Sequence, residues 1–126
     1  IPTTYTDPSG LNPYNSQLST ITIKWDESST DEVKQERIIT QKWIANWMLG
    51  NEAWADYRRT GYPKLIPTTD EGNMSGGTVD NKKGARRMPY PSAEYIDNTV
   101  NVQYAVNNYL KRADNMATDL WWACKP

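Results

Sequence analysis

Histidine and phenylalanine are absent from this chain, and cysteine occurs once. Without histidine the commonest general base and the commonest zinc ligand are both missing. Cys124 has no partner for an internal disulfide. It stands two residues from the end of the sequence, away from any nucleophile-and-base arrangement. No apolar run approaches the roughly 18 residues that a membrane-spanning helix needs, and no signal peptide is present. Charge is balanced: 14 Lys and Arg face 15 Asp and Glu, a net charge of −1. That balance argues against a general nucleic-acid binder, which carries a basic excess. The chain starts at Ile1 rather than Met. It therefore reads as processed or as a piece of something longer, and a missing targeting signal says nothing about where the parent resides.

What is present is aromatic and polar. Six Trp and eight Tyr supply rings with a polar handle, suited to core and rim packing and also to sugar stacking. At 126 residues the chain holds at most one domain. Its organisation centres on residues 37–67, RIITQKWIANWMLGNEAWADYRRTGYPKLIP, which contain three of the six Trp. This run predicts a pair of core helices.

Residues 1–28 read as a Pro- and Asn-rich loop followed by a short extended segment or strand over 20–25, in which Ile21, Ile23 and Trp25 alternate with polar residues. Residues 29–67 form the helix pair. Ser29 and Glu32 fit a capping box. Val33, Ile39, Trp43, Ile44, Trp47 and Met48 fall on one half of the wheel. Gly50 is placed to end the first helix and Asn51 to cap the second. Gly61 ends the second helix, and Pro63 prevents its return. Residues 68–97 are Gly- and Pro-rich loops without a phosphate-cradling signature. Residues 98–126 give a helix, with Val102, Ala105, Val106, Tyr109 and Leu110 in register, and an apolar tail expected to tuck against the body.

Chemistry is sparse. Acidic residues are plentiful, and any two in space could form the acid and nucleophile of a glycoside hydrolase, but their usual place is the solvated surface. Neither a metal site nor a cofactor signature is found. Arg58 and Arg59 complement the negative end of a helix. Trp25, beside a polar turn, and Tyr14, in a loop, are the candidate ligand-binding platforms.

The ITQKW of residues 39–43 and the EAWADYRRTGYP of residues 52–63 resemble the C-terminal part of the SusD/RagB-like lipoproteins of Bacteroidota. Arg86-Arg87-Met88-Pro89-Tyr90-Pro91, Glu94-Tyr95, the Asn-rich helix from Asn98, Asp114-Asn115 and Leu120-Trp121-Trp122 continue the match in order. It covers about two-thirds of the chain. The resemblance implies a mainly α fold with long loops and little strand, the C-terminal segment of a larger tetratricopeptide-containing protein. No 34-residue repeat is recognisable here. It further implies a lipid anchor in the missing N-terminal part, an outer-membrane location at the cell surface, and contact with the remainder of the same parent chain. The implied function is non-catalytic glycan capture for a SusC-type TonB-dependent transporter. The alternatives are peptide capture in the same system or, from another class, glycan hydrolysis by a carboxylate pair. The matched motifs read as packing signatures, Trp and Arg wedged between helices.

Overall fold

The computed structural model describes Pro8 and residues 19–123; Tyr14 and Cys124 lie outside the described residues. The fold is helical, and among the described residues the only strand-like pairing is an isolated bridge between Asp80 and Gly84. Two compact units are formed, Ile1–Ile66 and Pro67–Pro126.

The first unit is built on α1 (Asp31–Ala45) and α2 (Gly50–Thr60). The N-cap of α1 is Thr30, whose hydroxyl accepts from the Val33 N–H, and not Ser29. Asp26 explains the displacement. Its carboxylate accepts from the hydroxyls of Ser28 and Ser29, so Ser29 is committed to the preceding turn. Glu32 does not close a capping box either: it accepts from the Tyr62 hydroxyl at 2.6 Å. With the ion pair of Lys64 and Glu36 at 3.0 Å, this bond lays the chain leaving α2 along the first turns of α1. Gly61 makes that exit possible, since its φ of 80° lies where a Cβ is strained.

α1 ends earlier than the apolar pattern predicts. Asn46, a residue whose short amide favours turns over helix interiors, sits at the C-cap. Trp47 and Met48 then lie in a turn, Leu49 is the N-cap of α2, and Gly50 opens that helix instead of closing α1. Ile39 is buried, whereas Trp47 is 75% and Met48 is 88% exposed. Lys42 of α1 and Arg59 of α2 both pair with Asp56, at 2.6 and 2.9 Å. Ahead of α1, residues 20–25 form neither a strand nor an unbroken extended segment: the chain bends at Ile23 and Lys24. They are held by side chains: Ser19 Oγ donates to Glu36 at 2.6 Å, and Arg37 Nε donates to the Thr22 carbonyl at 2.8 Å.

The second unit contains α3 (Ser92–Asp97) and α4 (Thr99–Ala105), the latter widening into a π-helical turn, Val106–Leu110. α3 falls within a stretch read from sequence as loop. Six residues are too few to show periodicity, and its one local signal is Pro91 at the helix start. Val102 is buried, but Tyr109 is 72% exposed. The widened turn breaks the i, i+4 spacing, and Lys111 closes it with a left-handed φ of 54°. The apolar tail is tucked in only in part: Asp119 and Leu120 are half-buried, whereas Trp121 is 84% exposed in a short 3₁₀ turn, Trp121–Ala123.

Candidate functional site

Three places concentrate side-chain chemistry. At the first, Trp25 is half-exposed and surrounded by charge. Its indole N–H donates to Glu27 Oε2 at 2.5 Å, and Glu27 pairs with Lys34 at 3.5 Å. The Lys34 ammonium and the Arg37 guanidinium each lie 6.0 Å from the ring centroid, the outer limit of cation–π attraction. The indole is thus fixed by its edge while remaining open to solvent, with donors and an acceptor at its border. Tyr14, the other platform expected from sequence, lies outside the described residues.

At the second place, the turn between α1 and α2 opens an apolar groove of about 390 Å³ lined by Trp43, Asn46, Trp47, Trp54, Tyr57 and Leu65, among others. Trp43 and Trp47 meet edge to face, with centroids 6.1 Å apart. The Arg58 guanidinium stacks 3.8 Å from the Trp54 ring centroid. The sequence expectation is corrected here in part. The arginines serve internal contacts, but the indoles of the central run border an open groove rather than being wedged between helices. The periodicity identified a continuous apolar face; it carried no information about what covers that face.

At the third place, residues 83–95 are joined to 113–119 by ion pairs. Arg87 pairs with Asp114, and both side chains are about 6% exposed. Asp114 also accepts from the Tyr90 N–H at 3.0 Å and from the Tyr95 hydroxyl at 2.6 Å. Arg86 and Lys83 converge on Asp119 at 2.6 and 3.1 Å. The basic cluster of this loop therefore faces carboxylates of its own chain.

Burial pushes the pKa of Asp114 and Asp119 upward, but their hydrogen bonds and cations outweigh it and leave both below the usual carboxylate value. Asp56 is lowered too, chiefly by its bonds to Lys42 and Arg59. Conversely, the bond to Glu32 holds the Tyr62 hydroxyl up at about 12. Lowered carboxylates contribute stability that is complete above the unfolded value of 3.8 and disappears as pH falls through the folded values. Unfolding midpoints in urea are therefore expected to be flat between about pH 5 and 7 with respect to these groups, and to fall below about pH 4. A midpoint that rises on acidification contradicts the assignment. Among the described residues, no group of three or more acidic or thiol side chains is gathered to hold a metal ion, and no helix is long and apolar enough to cross a membrane.

Residues 1–123 match the SusD-like family model, described as Susd and RagB outer membrane lipoprotein. Among solved structures, a SusD homologue from Bacteroides uniformis is 72% identical with a TM-score of 0.83, over 97% of this chain and 25% of that one. A chitin-binding SusD homologue from Flavobacterium johnsoniae is 44% identical with a TM-score of 0.74, over 84% of this chain and 21% of that one. A third, from Bacteroides ovatus, is 48% identical with a TM-score of 0.74, covering 85% and 22% respectively. The chain thus spans about a quarter of the length of the solved homologues it matches. No curated protein matches it.

Proposed function

The chain belongs to the SusD-like family of outer membrane lipoproteins, and from that premise we propose that its parent protein binds glycans at the cell surface without catalysis and passes them to a SusC-type TonB-dependent transporter. The observation that carries the reading is the family match, together with a 44% identical homologue described as chitin-binding.

Three carboxylates of this segment are not poised as general acids. A general acid needs a raised pKa, whereas Asp56, Asp114 and Asp119 are each lowered and tied to cations of this chain. Calorimetric titration of the full-length protein with a panel of oligosaccharides, chito-oligosaccharides included, tests the reading. Heat of binding to at least one member without cleavage is expected. Binding to peptides alone would transfer the protein to the peptide-capturing reading. Cleavage abolished by one Asp or Glu substitution would establish a hydrolase.

Within residues 1–126, Trp25 is the proposed stacking platform: an exposed indole face bordered by Glu27, Lys34 and Arg37 offers both the apolar surface and the polar partners that a sugar ring requires. Trp25→Ala is expected to raise the oligosaccharide Kd by about fivefold, the equivalent of roughly 1 kcal/mol of aromatic contact. An unchanged Kd for Trp25→Ala and Tyr14→Ala would assign the contacts to the rest of the parent and leave this segment a scaffold.

A further inference from the structure

Residues five apart in an α-helix point about 140° away from each other, so the spacing of Tyr104 and Tyr109 gives them no reason to meet. The π-helical turn Val106–Leu110 changes that. Its i→i+5 register is closed by the Lys111 N–H, which donates to the Val106 carbonyl at 2.8 Å, and it brings positions five apart onto one face. The two rings consequently lie edge to face, with centroids 5.8 Å apart. Tyr104 is 57% and Tyr109 is 72% exposed. Such turns are rare inside α-helices and are frequently found at functional sites. This one builds an aromatic pair and leaves it open to solvent.

The surroundings of the pair select a ligand chemistry. From Asn98 to Leu110 there is no charged residue, in a chain that is 23% charged. Asp97 and Lys111 flank the stretch with opposite signs. Amides take the place of charges. Asn101 precedes Tyr104 by three positions, which puts it on the same helix face. Asn108 donates from its side chain to the Tyr104 carbonyl at 2.8 Å, and Asn101 donates to Asn98 Oδ1 at 2.6 Å. Both amides are exposed and keep a carbonyl oxygen able to accept from an outside donor. Amides give and take hydrogen bonds, as sugar hydroxyls do, and a phenol ring supplies the apolar face against which a sugar ring packs. A purely apolar partner would cover the amides and leave them unsatisfied, which is costly.

We infer that Tyr104 and Tyr109, edged by Asn101 and Asn108, form a further sugar-binding surface in the second unit, one that takes uncharged oligosaccharides. A sugar ring packs on Tyr109, the more exposed of the two, and its hydroxyls bond the amides. The neutral stretch offers a uronate or sulfate group no compensating charge. The inference rests on the glycan-binding reading above, but it names residues which that reading does not use.

Calorimetry of the full-length protein with malto-, cello- and chitohexaose and with hexagalacturonate tests it. At least one uncharged hexasaccharide is expected to bind the wild-type protein. For that sugar, Tyr109→Ala is expected to raise the Kd by about fivefold, and Tyr109→Phe, which keeps the ring, by less than about twofold. Hydroxyl-radical footprinting of the wild-type protein needs no substitution. Tyr104 and Tyr109 are expected to oxidise readily in the free protein and to be protected once the hexasaccharide is added. Failure of every saccharide to bind overturns this inference together with the glycan-binding reading. Four results overturn this inference alone: a Kd unchanged by Tyr109→Ala, equal losses in the two variants, binding confined to hexagalacturonate, or tyrosines already protected before sugar is added.

Discussion

Asp114→Ala is expected to lower the unfolding free energy of the full-length protein by about 3–5 kcal/mol, the cost of leaving a buried charge without its partner. Arg87 is buried with Asp114, each side chain about 6% exposed, so the guanidinium has little water to turn to. The same substitution strands the Tyr90 N–H and the Tyr95 hydroxyl, both donors to that carboxylate. The Arg87 guanidinium, 5.0 Å from the Tyr90 ring centroid, is held by these contacts, and Asp119 is already occupied by Arg86 and Lys83. Asp56→Ala is the matched control. Asp56 is buried as well, but its partners Lys42 and Arg59 have side chains 46% and 58% exposed and return to water when released. Its loss is expected to cost only about 1 kcal/mol, as for exposed pairs. Urea unfolding of the two variants checks the contrast; equal costs would show that burial of the cation does not set the penalty.

Ile39→Ala is expected to cost about 2–5 kcal/mol, the range for truncating a buried aliphatic residue and leaving a cavity. Ile39 is 6% exposed and is one of only three buried apolar side chains, with Tyr62 and Val102, identified among the described residues. A core this small has few neighbours able to collapse into the space. The polar ties of the first unit, such as the bond from Tyr62 to Glu32 and the pairs at Asp56 and Glu36, do not fill volume. A loss below about 1 kcal/mol, the range of surface changes, would show that Ile39 is not the packing centre of α1.

Motif order gave the family before any coordinates, and the helix pair, the Gly61 stop and the helix from Thr99 were legible as local patterns. What failed were the capping and burial assignments. Ser29 and Glu32 have the spacing of a capping box, yet Asp26 engages Ser29 and Tyr62, thirty residues away, engages Glu32. Sequence spacing counts only nearby competitors. Trp47 and Met48 fit the apolar face of α1, but the helix stops before them at Asn46. The candidate platform at Trp25 was visible as an aromatic beside a polar turn. Its ring of Glu27, Lys34 and Arg37 was not, because the last two come from a helix that folds back under it.

By itself the sequence determined the kind of protein this is: no histidine, balanced charge, a helical Trp- and Arg-bearing signature, and motifs in family order. Those are properties of residue identity and spacing, which need no partner to be read. Only the tertiary structure decided which carboxylate meets which cation, where α1 ends, and that the central indoles border a groove. Each of these depends on which groups compete for the same hydrogen bond or the same apolar surface, and the competitors come from distant parts of the chain.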